Sequence, residues 1–280
     1  MMQELILTGH GFVYAVIVMV YVVIAKKIMD WRTKDMDDDY EIEEKSNPAV
    51  GLQRAGLYLG IALGMSGALT GGSMGFVKDI VTLAWEGALI VILLFIAREV
   101  CDRVILSGID NDAEAADGNA AVGFAELGVY VASGLILAGA FAGEGGGLLS
   151  ALVFFALGQL VLFILYFVYE KATPFNIREE IKNGNAAAGL NAAGMMAALG
   201  VILRSSIAGP AMGWSQDLSA FAVSAGAGLV MLFIFRWVID WLLLPNTDYE
   251  TEIKRDQNMA AIALTEGVLL SVAIIIAAVL

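Results

Sequence analysis

Cysteine and histidine are almost absent from this chain of 280 residues, which contains one of each, Cys101 and His10. A single cysteine excludes a disulfide bond within the chain. One histidine and one cysteine also supply neither a His/Cys metal cluster nor a convincing nucleophile–base pair. We therefore expect no metal, no cofactor and no enzymatic activity.

Basic residues are scarce as well, because 16 Lys and Arg stand against 29 Asp and Glu, which gives a formal net charge of −13. This acidic balance excludes nucleic acid as the expected partner. Nothing basic precedes the first apolar run, whereas Lys26 and Lys27 follow it. We therefore expect an uncleaved first helix with its N-terminus outside.

The densest acidic run, residues 35–44, begins like a calcium-binding loop. It has Tyr40 and Ser46 at the positions where an EF-hand needs glycine and glutamate. We therefore expect a solvated loop rather than a metal site. The alternative is a docking site for a basic cytoplasmic or membrane partner, or for a polyamine.

Long apolar runs dominate what is present, since 59% of the residues are hydrophobic and the mean hydropathy is +0.77. Eight runs reach the roughly 20 residues that a helix needs to cross a bilayer. They do not alternate as the strands of a membrane barrel do, so an all-α membrane protein with eight spans is predicted. The predicted spans are 8–29, 49–70, 79–106, 120–142, 148–170, 186–208, 217–243 and 259–280.

Most lysines and arginines lie in the long segments after spans one, three, five and seven. Basic residues favour the cytoplasmic side of a membrane protein. The long charged segments are therefore predicted to be cytoplasmic. Both termini are predicted to be periplasmic.

An internal repeat starts each even-numbered span with an asparagine, and a glycine follows nine positions later. The asparagines are Asn47, Asn119, Asn185 and Asn258, and the glycines are Gly56, Gly128, Gly194 and Gly267. A glutamate precedes the asparagine by six positions in three copies, Glu41, Glu179 and Glu252, whereas the second copy has Ala113 there. Four parallel two-helix units are predicted, grouped into two halves, 1–142 and 143–280.

Small residues at four-residue spacing mark the even-numbered spans, as in Gly56, Gly60 and Gly64. Such spacing lets helices approach closely in lipid. The odd-numbered spans carry large apolar residues on most of their surface. An inner ring of even helices inside an outer ring of odd helices is therefore predicted, with its centre either sealed or open.

The chain resembles the YjfL-like family of bacterial inner-membrane proteins, described as domain of unknown function 350. The resemblance lies in the asparagine that starts each unit, an upstream Glu-Ile pair and the tandem two-helix unit. The pairs are Glu41-Ile42, Glu180-Ile181 and Glu252-Ile253. The second copy lacks the pair, and the fourth has Ile262 in place of the early glycine. The resemblance implies a bacterial inner-membrane location. It also implies a partner complex, because genes of this family often neighbour those of envelope-stress proteins.

The four asparagines allow two interpretations. Each is a helix N-cap, which satisfies backbone N–H groups at the cytoplasmic start of an even helix. Alternatively, they form a polar ring at a cytoplasmic mouth. One residue can serve both purposes.

Polar residues recur at matched depths within the predicted spans. They are Arg54, Glu126, Asn191 and Glu266 on even helices, and Glu86 and Gln159 on odd ones. Charged groups in lipid are costly unless they are paired or hydrated. One interpretation is a proton or cation path along Glu86, Glu126 and Glu266 with Arg54 as internal counter-charge. The other is that Arg54 pairs with one or more of these carboxylates and that the cluster fixes the helix register.

Two functions follow from these interpretations. The first is a small cation- or proton-conducting channel or transporter. The second is a membrane scaffold or sensor subunit of an envelope-stress complex, which recruits a partner through residues 35–44. The sequence leaves the conducted ion, the partner and the oligomeric state open.

Overall fold

The computed structural model describes residues 2–34, 36–70, 75–142 and 146–280, with side chains described from Thr8 onward. Every regular element in these residues is helical, as the apolar runs predict. The α-helices are α1 (Met2–Arg32), α2 (Pro48–Ala68), α3 (Phe76–Val104), α4 (Asn111–Ala116), α5 (Ala120–Phe141), α6 (Gly147–Ala172), α7 (Ile177–Lys182), α8 (Ala186–Ile207), α9 (Trp214–Leu243) and α10 (Met259–Ala277). Short π-helical turns cover Tyr40–Glu44 and Thr251–Arg255.

Seven helices of the described chain are long and apolar enough to cross a membrane: α1, α3, α5, α6, α8, α9 and α10. The chain is therefore an all-α, multi-pass membrane protein. Helix α2 has 21 residues but falls short in apolarity, because it contains Gln53 and Arg54. Its crossing of the membrane, and thus the full set of eight spans, stays a prediction.

Helices α2, α5, α8 and α10 pack side by side in that order. The arrangement is a row rather than the predicted inner ring, because α2 and α10 are not among the closely packed helix pairs of the described chain. The two middle helices, α5 and α8, contact their two neighbours through different edges. The end helices α2 and α10 each have one neighbour in the row, so one edge of each is uncovered.

The remaining long helices lie along the grooves of this row. Helix α3 contacts α2 and α5, α6 contacts α5 and α8, and α9 contacts α8 and α10, whereas α1 contacts α2 and α3. Their outer surfaces expose large apolar side chains such as Ile92, Ile164 and Ile234. These surfaces suit contact with lipid.

Glycine brings the helices of the row into backbone contact. A Cβ atom on Gly56 would lie 2.6 Å from Leu127 Cα, and one on Gly128 would lie 2.4 Å from Ala193 Cα. Both distances are shorter than real Cβ contacts, so no larger residue fits without moving a helix apart. The small-residue pattern read from the sequence therefore marks the helix–helix contacts of the row.

The predicted boundary between the two halves, at residue 143, lies outside the described residues. Helices α5 and α8, on either side of it, pack closely against each other. A Cβ on Gly189 of α8 would lie 2.3 Å from the carbonyl oxygen of Ala121 on α5. The two halves thus share one continuous helix row.

Candidate functional site

The segments 33–47, 105–119, 173–185 and 244–258 lie at one end of the bundle, which we call the connector face. Each ends in an asparagine that caps the next helix, because its side-chain oxygen accepts hydrogen bonds from the first backbone N–H groups. The capped helices are α2, α5, α8 and α10. The capping interpretation thus describes all four asparagines.

Each capping amide also donates to a glutamate of its own connector. The Nδ2–Oε2 distances are 3.1 Å for Asn47–Glu41, 3.0 Å for Asn119–Glu114, 2.9 Å for Asn185–Glu180 and 2.7 Å for Asn258–Glu252. The predicted alignment on Ala113 and Glu179 was therefore wrong. The π-helical turns insert one residue in the first and fourth connectors only, so the glutamate precedes the asparagine by six positions there and by five in the others.

Three of the amides reach across to the following connector as well. Asn47 Nδ2 donates to the carbonyl of Ala115 at 2.8 Å, and Asn119 Nδ2 donates to that of Ile181 at 3.1 Å. Asn185 Nδ2 donates to the carbonyl of Ile253 at 2.8 Å. The asparagines therefore join successive connectors in a line that follows the helix row.

A buried cluster of charges surrounds Arg98, close to the connector face. Its Nη2 lies 2.9 Å from Glu126 Oε1 on α5 and 2.6 Å from Asp112 Oδ1 on α4. Asp102, one turn later on α3, has Oδ2 3.5 Å from Arg98 Nε. Arg98 is 0% exposed and Glu126 is 1% exposed. We call these four residues the first cluster.

Arg54 does not pair with Glu86, Glu126 or Glu266, contrary to both interpretations, which made it their counter-charge. Its guanidinium pairs with Asp38, whose Oδ1 lies 2.7 Å from Nη2, and both residues are buried. Arg54 also donates to the amide oxygen of Gln53. Gln53 Nε2 lies 3.4 Å from Asp112 Oδ1, which links this ion pair to the first cluster.

A second cluster occupies the equivalent place in the second half of the chain. Arg236 Nη1 lies 2.5 Å from Glu266 Oε1, and Arg236 Nε lies 3.5 Å from Asp240 Oδ2. Asn191 Nδ2 donates to Glu266 Oε1 at 2.8 Å. The ring of Tyr249 lies 4.3 Å from the Arg236 guanidinium carbon. We call these five residues the second cluster.

The two clusters share one plan. An arginine near the connector end of α3 or α9 pairs with an aspartate one turn later, and it also pairs with a glutamate on the next helix of the row, α5 or α10. Sequence reasoning identified Glu126 and Glu266 but did not place Arg98 and Arg236 beside them. The sequence signal that could have predicted these ion pairs was an arginine within an apolar span, at the same depth in the membrane as a glutamate on the neighbouring span.

Two predicted path residues lie apart from both clusters. Glu86 precedes Arg98 by twelve positions on α3, which is roughly 18 Å along a helix. It is half-buried, and its Oε2 has no hydrogen-bond partner in the described chain. Gln159 on α6 is buried, and neither polar atom of its side chain has a partner there. The three glutamates therefore do not form one continuous line of contacts.

Comparison with known proteins gives the family. The sequence matches the family described as Domain of Unknown Function (DUF350) twice, over residues 1–141 and over residues 145–280. The chain belongs to the DUF350 family. A similar protein is the UPF0719 transmembrane protein of Aquifex aeolicus (strain VF5), which is 25% identical over 229 residues, or 80% of this chain and 83% of that protein. No solved structure matches the chain.

One face of α5 in this DUF350 protein continues the first cluster into the bundle. Glu126 Oε2, Tyr130 OH and Ser133 Oγ are buried and have no hydrogen-bond partner in the described chain. Their spacing of four and three residues places them on the same side of the helix. Together they span roughly 10 Å. Unpaired buried polar atoms at this spacing are suitable partners for a short line of water molecules.

The acidic run 35–44 of the DUF350 protein is partly neutralised by its own chain. Lys26 Nζ lies 2.5 Å from Asp39 Oδ1, and Lys45 Nζ lies 2.7 Å from Glu41 Oε1. The hydrogen bond from Lys45, together with that from Asn47, holds the pKa of Glu41 below its ordinary value. Glu43 and Glu44 are exposed, whereas Asp35 lies outside the described residues. No three His, Cys, Asp or Glu side chains converge as metal ligands in the part of the chain that the structure covers.

Proposed function

We propose that this DUF350 protein moves protons or small cations across the bacterial inner membrane, and that Glu126 and Glu266 are the carboxylates that bind them. The observation that carries the proposal is the charge balance of the two clusters. Arg98 faces three carboxylates, of which Asp112 also lies 3.8 Å from Arg32 Nη2, and Arg236 faces two. Each cluster therefore has one more carboxylate than the arginines that face it.

The geometry of the glutamates supports the same proposal. One oxygen of each carboxylate binds the arginine, whereas the other, Glu126 Oε2 or Glu266 Oε2, is buried without a hydrogen-bond partner in the described chain. A buried carboxylate oxygen of this kind is stabilised by a proton, a cation or water. The unpaired atoms of Tyr130 and Ser133 extend this polar environment deeper into the bundle.

The test is a flux measurement with purified protein in liposomes. Proton or cation flux is expected from the wild type and is expected to fall at least tenfold in Glu126→Gln and Glu266→Gln. Glu44→Gln is the matched control, because that glutamate is exposed on a connector. Absence of wild-type flux for protons and the common monovalent cations would contradict the proposal, as would full flux in both glutamine variants.

The orientation belongs to the same proposal, with the connector face in the cytoplasm. It is tested with single cysteines and a membrane-impermeant maleimide on intact cells. Met212→Cys, on the opposite face, is expected to react, and Glu43→Cys is expected to react only after lysis. Cys101 is buried, so we expect the native cysteine not to react with the maleimide. The reverse pattern would place the connectors outside.

A second candidate function is a scaffold that recruits a partner at the connector face. It is favoured by the glycine-mediated contacts, which fill the space between neighbouring helices of the row, and by the exposure of Glu43 and Glu44. Charge reversal of these two residues is expected to release a basic partner that copurifies with the wild type. Glu179→Lys, on another connector, is the control. Retention of every partner by the double reversal would reject this candidate.

A further inference from the structure

Helix α10 leaves one edge uncovered, and that edge corresponds to the contact surface of the other three helices in the row. The glycine nine positions after the asparagine packs on the next helix in three cases. A Cβ on Gly56 meets Leu127, one on Gly128 meets Ala193 and one on Gly194 meets Glu266, all within 2.6 Å. The equivalent Gly267 of α10 is exposed and would meet nothing within 4 Å.

Neighbouring positions on the same edge behave in the same way. The alanine two positions after the asparagine is fully buried in the first three helices of the row, as Ala49, Ala121 and Ala187. The equivalent Ala260 of α10 is exposed, and Ser271, deeper on the same edge, is exposed too. Leu264 and Ile274 lie on the same face at helical spacing and are exposed as well. The uncovered edge therefore carries small residues at the repeat positions together with two large apolar ones.

The other end of the row shows the complementary edge. Gly123 and Gly189, four positions after their asparagines, receive the backbones of Ala49 and Ala121 from the preceding helix. The equivalent glycine of α2, Gly51, would meet nothing within 4 Å. Farther along the same edge, Ala55 and Ala62 are exposed. Helix α2 thus presents the receiving glycine that α5 and α8 each use within the row, whereas α10 has Ile262 at that position.

The connector asparagines show the same two open ends. Asn47, Asn119 and Asn185 each donate to a backbone carbonyl of the following connector, whereas the described bonds of the Asn258 amide stay within its own connector. The accepting residues Ala115, Ile181 and Ile253 each follow the capping glutamate directly. In the first connector that position is Ile42, which is exposed.

We propose that a second copy of this chain docks head to tail, with the α10 edge of one copy against the α2 edge of the next. The two edges carry the repeat positions that meet in the three contacts within the chain, so the contact between copies uses the same glycine and alanine positions. In this arrangement the Asn258 amide donates to the Ile42 carbonyl of the neighbouring copy. Gly267 then packs at Ala55, and α1 lies in the groove between the copies as α3 lies between α2 and α5.

The physical basis is close packing in lipid. Small residues let helix backbones approach, and such contacts drive helix association within a membrane. The interface is heterologous, because the two surfaces differ, so it generates a ring if the rotation closes and a longer row if it does not. This inference does not depend on ion transport, because it concerns edges that neither charge cluster occupies.

The first test compares two glycines that are equally open in one chain. Gly267 and Gly226 both lie on apolar helices, and a Cβ on either would meet nothing within 4 Å. The mass of the assembly is measured in lipid nanodiscs and by native mass spectrometry. We expect wild type and Gly226→Trp to contain more than one copy, and Gly267→Trp to be monomeric. A monomeric wild type, or an assembled Gly267→Trp, would overturn the proposal.

The second test distinguishes head-to-tail from symmetric docking by disulfide formation in membranes, in a Cys101→Ala background. The equivalent internal contact places a Gly56 Cβ 3.3 Å from Leu127 Cβ, close to disulfide separation. Chains with both Ala55→Cys and Gly267→Cys are expected to crosslink into multimers. A coexpressed mixture of the two single variants is expected to stop at dimers. Crosslinking of Gly267→Cys alone, or of neither combination, would contradict the proposed geometry.

Discussion

Arg98 Nη2 and Glu126 Oε1 lie 2.9 Å apart, and each side chain is 1% exposed. Water therefore does not screen this ion pair, and each charge depends on the other for its stability. Burying an unpaired charge is far more costly than burying a pair. Arg98 also holds Asp102 and Asp112, so it is the residue on which the first cluster depends.

Removing Arg98 is expected to destabilise the protein strongly. Arg98→Met keeps most of the side-chain volume but leaves Asp102, Asp112 and Glu126 without their shared cation. Loss of one partner of a buried ion pair costs about 3–5 kcal/mol. The measurement is thermal unfolding in detergent, followed by circular dichroism.

The matched control is Arg103→Met on the same helix. Arg103 pairs with Glu99 at 2.6 Å, but its side chain is 70% exposed. Exposed ion pairs contribute at most about 1 kcal/mol. Equal effects of the two substitutions would show that the first cluster does not have the buried character described above.

A methyl group at Gly189 is expected to separate α5 from α8. Its Cβ would lie 2.3 Å from the Ala121 carbonyl oxygen and 2.6 Å from Ala121 Cα, both of which are backbone atoms that cannot move alone. Overpacking of this kind costs about 1–3 kcal/mol. We expect Gly189→Ala to lower the unfolding temperature. Gly226→Ala, which meets nothing within 4 Å, should leave it unchanged or raise it, because alanine favours helix by about 1 kcal/mol. An unchanged unfolding temperature for Gly189→Ala would show that the helices adjust without cost.

The sequence predicted the helices and their contacts well, because both depend on local pattern. Apolar length predicts a spanning helix, and recurring small residues predict where helices meet. The six-residue spacing aligned Ala113 and Glu179 with Glu41 and Glu252, whereas the asparagine amides of those two connectors bind Glu114 and Glu180. A fixed spacing does not reveal that the π-helical turns Tyr40–Glu44 and Thr251–Arg255 insert a residue in only two of the connectors.

The charge clusters were less predictable, because they depend on which face of a helix turns inward. Arg98 and Arg236 each have an aspartate one turn later on the same helix, and both of these ion pairs are present. Nothing in the spacing shows that each guanidinium also reaches the glutamate on the neighbouring helix. The sequence also did not predict that the helices form an open row. Small residues predict that two helices contact each other, but not whether the first and last helices of a series meet to form a ring.

The bonds between connectors predict unequal roles for two equivalent asparagines. Asn185 caps α8, is fully buried and donates to Ile253, whereas the described bonds of Asn258 stay within its own connector. Loss of a cap costs about 1 kcal/mol. Asn185→Ala should cost roughly 1–3 kcal/mol more, because it also leaves a buried carbonyl without its donor. Thermal unfolding of the detergent-solubilised monomers provides the comparison, and a larger effect of Asn258→Ala would contradict it.

Acid is expected to weaken the attachment of α4 to the bundle through Asp112. Burial alone would raise the pKa of this carboxyl group, but the Arg98 guanidinium, together with Arg32 and the hydrogen bond from Gln53, outweighs burial and holds the pKa below its ordinary value. A lowered pKa means that the charged form stabilises the folded state. That stabilisation is complete above the unfolded pKa of about 3.9 and is lost as the pH falls through the lower folded value. We therefore expect the difference in unfolding temperature between wild type and Asp112→Asn to be largest near neutral pH and to disappear in acid.

Asp117→Asn, an exposed position on the same connector, is the control that should follow the wild type at every pH. A difference that stays constant with pH would mean that Asp112 acts through packing rather than through its charge.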